Sequence, residues 1–227
     1  MIVTIDGPAG AGKSTVAKLI AAKLGYIYLD TGALYRAVAW KALATGTDTT
    51  SAAAMQRLCE TIRLSILHTQ DGGMAVEVDG LLLNAQIRTP EVTRAAAQVA
   101  ALPEVRTWLL PVQQAFGLRK DIPGIVAEGR DLGTKVFPNA SAKFFFKADA
   151  AERARRRHEE LVTAGKAADL AHTRRELDAR DGRDRTRETA PLVAAPDAIA
   201  IDTTALSIEQ VVERMLSVIG EKAAGSS

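Results

Sequence analysis

Eight residues near the amino end, Gly7-Pro8-Ala9-Gly10-Ala11-Gly12-Lys13-Ser14, constrain this 227-residue chain more than any other feature. They fit G-x-x-x-x-G-K-[ST], a loop whose glycines let successive backbone N–H groups turn inward where a Cβ would clash. The flanks strengthen the match. Ile2-Val3-Thr4-Ile5 is a β-branched apolar run that predicts a buried strand. Val16, Leu19, Ile20 and Leu24 recur at i, i+3, i+4 and i+8, which predicts the apolar face of a helix starting at the lysine. Strand, glycine loop and helix in that order aim a helix N-terminus at an anion. The sequence therefore predicts a nucleoside triphosphate site running from Gly7 through Ser14 to Thr15. Lys13 would place a cation between the β- and γ-phosphates, and the Ser14 hydroxyl would ligate the Mg²⁺ that accompanies ATP.

The length allows one good core with modest insertions, hardly two full independent domains. A formal net charge of +2 argues against a general electrostatic DNA binder. Cys59 is the only cysteine, so neither an intrachain disulfide nor a cysteine zinc site is available, and it is expected to pack on a helix. His68, His158 and His172 share no metal-like spacing, and Trp40 and Trp108 lie in apolar helical stretches that predict core positions. The loop begins at residue 7, leaving no room for a cleaved leader, and no apolar run approaches the ~20 residues that span a bilayer. The expectation is a cytoplasmic protein with no membrane partner.

Short apolar runs recur between helical stretches at Ile2–Ile5, Tyr26–Leu29, Gly124–Ala127, Lys143–Phe146 and Ala198–Ile201. Each is too apolar for a half-exposed strand, the signature of a parallel sheet with helices on both faces. A last helix carries the stripe Ile208, Val211, Val212, Met215, Leu216 and Ile219. Ser207 with Gln210 forms its capping box and Leu206 with Val211 its hydrophobic staple; Lys222–Ser227 reads as a frayed tail. Two stretches break the rhythm. Leu64–His68, Met74–Val78 and Leu81–Leu83, turned by Asp71-Gly72-Gly73 and Asp79-Gly80, predict a small antiparallel unit, followed by helical pattern over Val92–Phe116 broken near Pro103. Glu152–Glu188 is highly charged and helical.

A phosphate loop alone does not separate kinases from switches or motors. The Asn-Lys-x-Asp guanine motif is absent, and arginine is in excess at three places that could converge on phosphates. The first is Asp30-Thr31-Gly32-Ala33-Leu34-Tyr35-Arg36 after the second apolar run, at the sheet edge where ligands bind. Thr31 or Asp30 also suits a helix cap, and on this evidence Arg36 fits a solvated arginine as well as a phosphate ligand. The second is Glu128-Gly129-Arg130-Asp131-Leu132-Gly133-Thr134, where an Arg–Asp pair between glycines suits a ligand site better than a mutual surface ion pair. The third is Arg180-Asp181-Gly182-Arg183-Asp184-Arg185-Thr186-Arg187, which crowds charge onto every side of a helix. That is costly unless phosphates neutralise it, and phosphoryl transfer needs such a cluster because its transition state spreads charge over equatorial oxygens.

These four motifs, with Ala190-Pro191-Leu192, resemble bacterial-type cytidylate kinase, from about Ile2 to Ile219. The resemblance implies the P-loop nucleoside monophosphate kinase fold, an α/β unit with a five-stranded parallel sheet and helices on both faces. It implies a core at 1–31, 119–151 and 189–221, a monophosphate-binding insertion at 32–118 and a mobile lid at 152–188. The implied reaction moves phosphate from ATP·Mg²⁺ to CMP or dCMP. Arg36 and Arg130 would hold the acceptor phosphate, and Thr31, Arg106 and Asp131 would face the cytosine with Arg187 nearby. Asp184 and Arg180 would contact the ribose, while Arg183 and Arg185 would close over the transferring group beside Lys13. Where some relatives carry serine near the base, Ala97 stands here; Thr31 replaces a serine and keeps the hydroxyl.

The sequence thus predicts a kinase whose partners are ATP and CMP or dCMP, acting as a monomer without nucleic acid. A kinase for UMP or AMP is the alternative within enzymes. An RNA-binding ATPase using Arg153–Arg157 and Arg174–Arg187 is the alternative from another class; it would hydrolyse ATP without a monophosphate acceptor.

Overall fold

Five apolar runs form the central sheet, and their placement decides where the charged loops emerge. The computed structural model describes residues 1–69, 72–165 and 167–224. Strands β1 (Ile2–Asp6), β2 (Ile27–Asp30), β6 (Ile125–Gly129), β7 (Ala142–Lys147) and β8 (Ile199–Asp202) lie in the order β2-β6-β1-β7-β8. β1 runs parallel to β7 with Val3 opposite Ala142, and β7 parallel to β8 with Phe144 opposite Ile199. A parallel sheet with β1 central is the doubly wound arrangement expected from the alternating pattern. β8 departs from expectation: as an edge strand it has Ala200 and Asp202 exposed, so only part of the run is buried.

The chain divides into two units, Met1–Ile20 with Glu128–Ser227, and Ala21–Ala127. In the first, helix α1 (Lys13–Leu24) follows the glycine loop. Val16, Ala17 and Ile20 are buried, but Leu19, expected on the apolar face, is 40% exposed. The small Ala17 takes the buried position because alanine packs closely against a sheet. Helices α6 (Ala150–Thr163) and α7 (Leu170–Thr186) occupy the charged stretch, and Lys166 between them lies outside the described residues. α8 (Ile208–Ala224) starts with the predicted capping box: Ser207 N–H donates to Gln210 Oε1 at 2.9 Å and Gln210 N–H to Ser207 Oγ at 3.2 Å. Val211, Val212, Met215 and Ile219 bury its stripe, whereas Ile208, in the first turn, is exposed. The helix also continues through Lys222–Ala224, which the sequence reads as tail; residues 225–227 lie outside the described residues.

The second unit holds α2 (Thr31–Ala44), α3 (Ala52–Thr61), an antiparallel sheet of β3 (Leu64–His68), β4 (Met74–Val78) and β5 (Leu81–Leu83), then α4 (Pro90–Val99) and α5 (Pro103–Gly117). Its registers pair Ile66 with Val76 and Val76 with Leu83. Leu34, Val38, Met55, Val76, Val99, Val105 and Leu109 fill its core, with Cys59 buried among them and Trp40 and Trp108 packed against it. Of the first predicted hairpin turn, Asp71 lies outside the described residues.

Candidate active site

The phosphate loop spans the end of β1 and the start of α1, so its chemistry follows from what surrounds it in the first unit. Lys13 is 5% exposed and its Nζ donates to the Pro8 carbonyl at 2.6 Å, closing the loop on itself. Burial and the nearby Arg130 and Arg180 push its ammonium down to about 7, against the pull of Glu128 and Asp6. Cations and carboxylates are thus interleaved around the loop lysine, with Arg130 and Arg180 opposing Glu128 and Asp6. Gly10 (φ +74°) has no room for a side chain, since a Cβ there would lie 2.9 Å from the Arg153 carbonyl oxygen. Ser14 and Thr15 stand exposed in the first turn of α1. The Ser14 hydroxyl lies at the exposed start of the helix, next to Lys13. It is the kind of single hard oxygen that a phosphate-borne Mg²⁺ takes from a protein, so the residues fit that ion.

The second and third arginine motifs meet in the same unit. β6 carries Glu128 and Gly129, and the chain turns at Arg130 into a single π-type turn, Leu132–Val136. Arg130 Nε donates to Asp184 Oδ2 at 2.9 Å and its Nη1 to the Gly129 carbonyl at 3.0 Å. Arg187 lies 3.7 Å from Asp131 and 3.5 Å from Asp184, and its Nε donates to the Ala190 carbonyl at 2.6 Å. Burial raises the Asp184 carboxyl, but Arg130, Arg180 and Arg187 outweigh it and hold the group below its ordinary value. Arg130 and Asp131 therefore pair across to the third motif, not with each other.

Charged residues lie on several sides of α7, as the sequence predicts, but α7 ends at Thr186, which leaves Arg187 outside it, and the remaining charges differ in burial. Asp181 is buried and Asp184 partly so, whereas Arg183 and Arg185 are exposed. Spacings of three and four residues put Asp184 and Arg185 near the side of Asp181, and Arg183 points away from it.

Three buried charges near the loop were not singled out by the sequence as site residues. Asp6, buried at the end of β1, accepts the N–H groups of Leu132 at 2.9 Å and Gly133 at 2.8 Å. Burial and the neighbouring Asp131 push its carboxyl up to about 6, against those two bonds and Lys13. A carboxylate at the end of a β-branched run, just before a glycine loop, is costly unless something accepts it into the interior, and that was the available signal. Arg153 and Asp181 form a buried ion pair that also touches Ala9. Nothing in their local sequence sets them apart from the other charges of the stretch.

A cavity of about 920 Å³ opens beside the loop, lined by Gly10–Gly12, Thr15, the Arg155–Arg156 face of α6 and the Thr203–Ile208 segment. Arg156 spans its wall, donating to Glu152 at 2.8 Å and to the Thr203 carbonyl at 2.7 Å. Thr203 Oγ1 in turn donates to the Ala11 carbonyl at 3.2 Å.

In the second unit, Asp30 caps α2 by accepting the Ala33 N–H at 3.1 Å and pairs with Arg36 Nη2 at 2.6 Å. Arg36 is thus ion-paired and partly buried. Thr31 is buried in the first turn of α2. Arg106, on α5 and 6% exposed, donates to the Ala100 carbonyl at 3.0 Å and lies over the Tyr35 ring at 5.4 Å. That ring contact brings the first motif and Arg106 together, while Ala97 on α4 is partly exposed.

Comparison with known proteins agrees with this geometry. Residues 3–221 match the family model described as cytidylate kinase. The chain is 47% identical over 222 residues to a cytidylate kinase of Stutzerimonas stutzeri, covering 97% of this chain and 96% of that protein. It is 46% identical over 220 residues to a cytidylate kinase of Geobacillus kaustophilus, covering 97% and 96%. Among solved structures, an uncharacterized protein from Eubacterium ventriosum shares the fold alone, with a TM-score of 0.54 at 13% identity over 97% of this chain and 98% of that one. A family match along nearly the whole length, with relatives near half-identical, settles the affiliation: this chain belongs to the cytidylate kinase family.

Proposed function

We propose that this protein transfers the γ-phosphoryl group of ATP to CMP or dCMP, giving ADP and CDP or dCDP. The observation that carries the reading is a phosphate loop closed around the buried Lys13, beside an Arg130 that Asp184 ties to the arginine-bearing end of α7, in a chain of the cytidylate kinase family. An acceptor phosphate oxygen attacks the γ-phosphorus in line as the bond to the β-phosphate oxygen breaks, and ADP leaves. Little covalent chemistry falls to the protein in such a transfer, so its residues position the reactants and stabilise charge.

The loop from Gly7 to Thr15 wraps the donor phosphates, and Lys13 stabilises the charge that builds on the bridging oxygen. The cavity beside the loop accommodates the donor nucleoside. Ser14 would help hold a phosphate-borne Mg²⁺, which would supply further charge neutralisation. Arg130 and Arg36 are the acceptor-phosphate ligands; each would exchange its present aspartate partner, Asp184 or Asp30, for phosphate oxygens. Asp131, Arg106 and Thr31 read the cytosine with Arg187 close by, and Asp184 and Arg180 take the ribose. Arg183 and Arg185, exposed on α7, are free to swing onto the transferring group as residues 152–188 close over the donor. The substrates are small soluble nucleotides, so the reading extends to a monomer acting in the cytoplasm without nucleic acid.

A coupled ADP-release assay across CMP, dCMP, UMP, AMP and GMP tests this. ADP release strongest with CMP and dCMP, and none without an acceptor, is the expected result. ATP hydrolysis that ignores the acceptor would point instead to an ATPase.

A further inference from the structure

The buried ion pair between Arg153 and Asp181 is placed in an unusual way. Arg153 sits in the first turn of α6 at 4% exposure, and Asp181 in the last third of α7 at 2%. Both grip one phosphate-loop residue. The Ala9 N–H donates to Asp181 Oδ1 at 3.2 Å, while Arg153 Nη1 donates to the Ala9 carbonyl at 3.0 Å and to Asp181 Oδ2. Arg153 Nε also holds the Ala148 carbonyl at 3.2 Å. Ala9, Ala154 and Leu177 pack as a small apolar cluster around these bonds. The missing side chain at Gly10 is what lets the Arg153 backbone approach so closely.

A buried ion pair is a poor device for stability alone, since desolvating two charges offsets much of their attraction. It is a good device for fixing geometry, because every bond has a direction. Here the bonds fix the rotation of α7 about its own axis. With Asp181 facing the loop, Asp184 falls on the same side and meets Arg130, and Arg180 comes close enough for its charge to act on Lys13. Arg183 and Arg185, two residues apart and so on different sides of the helix, are both exposed.

We infer that Arg153 and Asp181 are positioning residues that tie the arginine-bearing end of α7 to the phosphate loop through Ala9, so that bound triphosphate and the arginines keep one register. The inference rests on the proposed role of Arg183 and Arg185 in phosphoryl transfer. A residue acting through those arginines loses its effect when they are gone; one that merely supports the fold does not.

The test compares kcat, the KM values for ATP and CMP, and Tm for Asp181→Asn, Arg153→Lys, Arg185→Ala and the Asp181→Asn/Arg185→Ala double variant. Arg153→Lys keeps the charge but not the fork that reaches Ala9, Ala148 and Asp181 together, and serves if Asp181→Asn does not fold. We expect Arg185→Ala to lower kcat by about 10²-fold. Asp181→Asn should lower it by about 10-fold and also raise the KM for CMP, since Asp184 and Arg180 ride on the same end of α7, and Arg153→Lys should do both by smaller factors. The double variant should fall no further than about 3-fold below Arg185→Ala alone. Losses that multiply in the double variant overturn the inference and leave the kinase reading standing, as do unchanged kcat values in both Asp181→Asn and Arg153→Lys. An inert Arg185→Ala overturns the arginine reading itself and the inference with it.

Discussion

Asp6 accepts the backbone N–H of Gly133 at 2.8 Å, so the residue that precedes the phosphate loop also holds the turn that follows Arg130 and Asp131. Two backbone donors aimed at one buried carboxylate keep that turn against the end of β1, and the arrangement is sensitive to protonation.

The Asp6 carboxyl, raised from 3.8 to about 6 chiefly by burial, binds its proton more tightly in the folded protein than in the unfolded chain. Its contribution to stability is therefore full below pH ~4 and is lost as pH rises through 6. Between pH 5 and pH 7.5 this amounts to about 1 kcal/mol. Asp6→Asn cannot titrate, and its NH₂ group would oppose one of the two N–H donors. Denaturant unfolding should find the variant less stable throughout, with a deficit larger at pH 5 than at pH 7.5. A deficit independent of pH would show that the group does not titrate in this window.

The glycines of the loop should differ in what they tolerate. Gly10→Ala drives a Cβ onto the Arg153 backbone, whereas Gly12 (φ +84°) has nothing within 4 Å of its Cβ position. Alanine at position 12 meets only the left-handed backbone penalty of roughly 1–2 kcal/mol. Gly10→Ala should add to that penalty the displacement of α6, lowering Tm distinctly more. Equal Tm losses for the two variants would mean that the contact with Arg153 yields freely.

What the sequence made legible follows from which interactions are local. The phosphate loop, the three short strands from Leu64 to Leu83 and the capping box at Ser207 and Gln210 are each specified by residues a few positions apart, and all appear as expected. The pairings that organise the site link distant residues, such as Arg130 with Asp184 and Asp6 with Gly133, and a charge pattern alone does not choose among such partners. α7 shows this most clearly. Its charges lie on several sides, and only the burial of Asp181 shows which side faces inward. Leu19 and Ile208 fail for a related reason: apolar periodicity marks a stripe, but the width of the buried contact is set by what packs on it.

Lys13→Ala should fold, since the ammonium contacts the Pro8 carbonyl and its burial serves the loop more than the core. Turnover should fall roughly 10²–10³-fold or more, the scale for losing one preorganised charge donor. Near-wild-type turnover in the folded variant would place the chemistry away from the glycine loop.

Arg183 and Arg185 are exposed, so replacing either with alanine should move Tm by little. If they act only when closed over the reacting group, kcat falls while the KM for ATP changes much less. Limited proteolysis gives an independent view: cleavage between Arg153 and Arg187 should slow when both nucleotides are added together. Variants altered only in KM would speak for ground-state binding, and a digestion pattern indifferent to nucleotides would speak against closure of residues 152–188.

Base selection follows from hydrogen-bond polarity. Cytosine presents an amino donor at N4 beside acceptors at N3 and O2, whereas uracil presents O4 and N3–H. In the proposed assignment the Asp131 carboxylate accepts from the amino group and the Arg106 guanidinium donates to N3 or O2. Uracil would oppose O4 to the carboxylate and N3–H to the guanidinium, and buried mismatches of this kind cost ~1–3 kcal/mol each. CMP should therefore exceed UMP by at least ~10²-fold in kcat/KM. Asp131→Ala should shrink that ratio, chiefly by losing activity on CMP, because removing the carboxylate takes away the acceptor that only cytosine uses. Steady-state kinetics with both monophosphates decides it. Equal use of CMP and UMP by the wild type would overturn the roles of Arg106 and Asp131 while leaving phosphoryl transfer at the Lys13 loop intact.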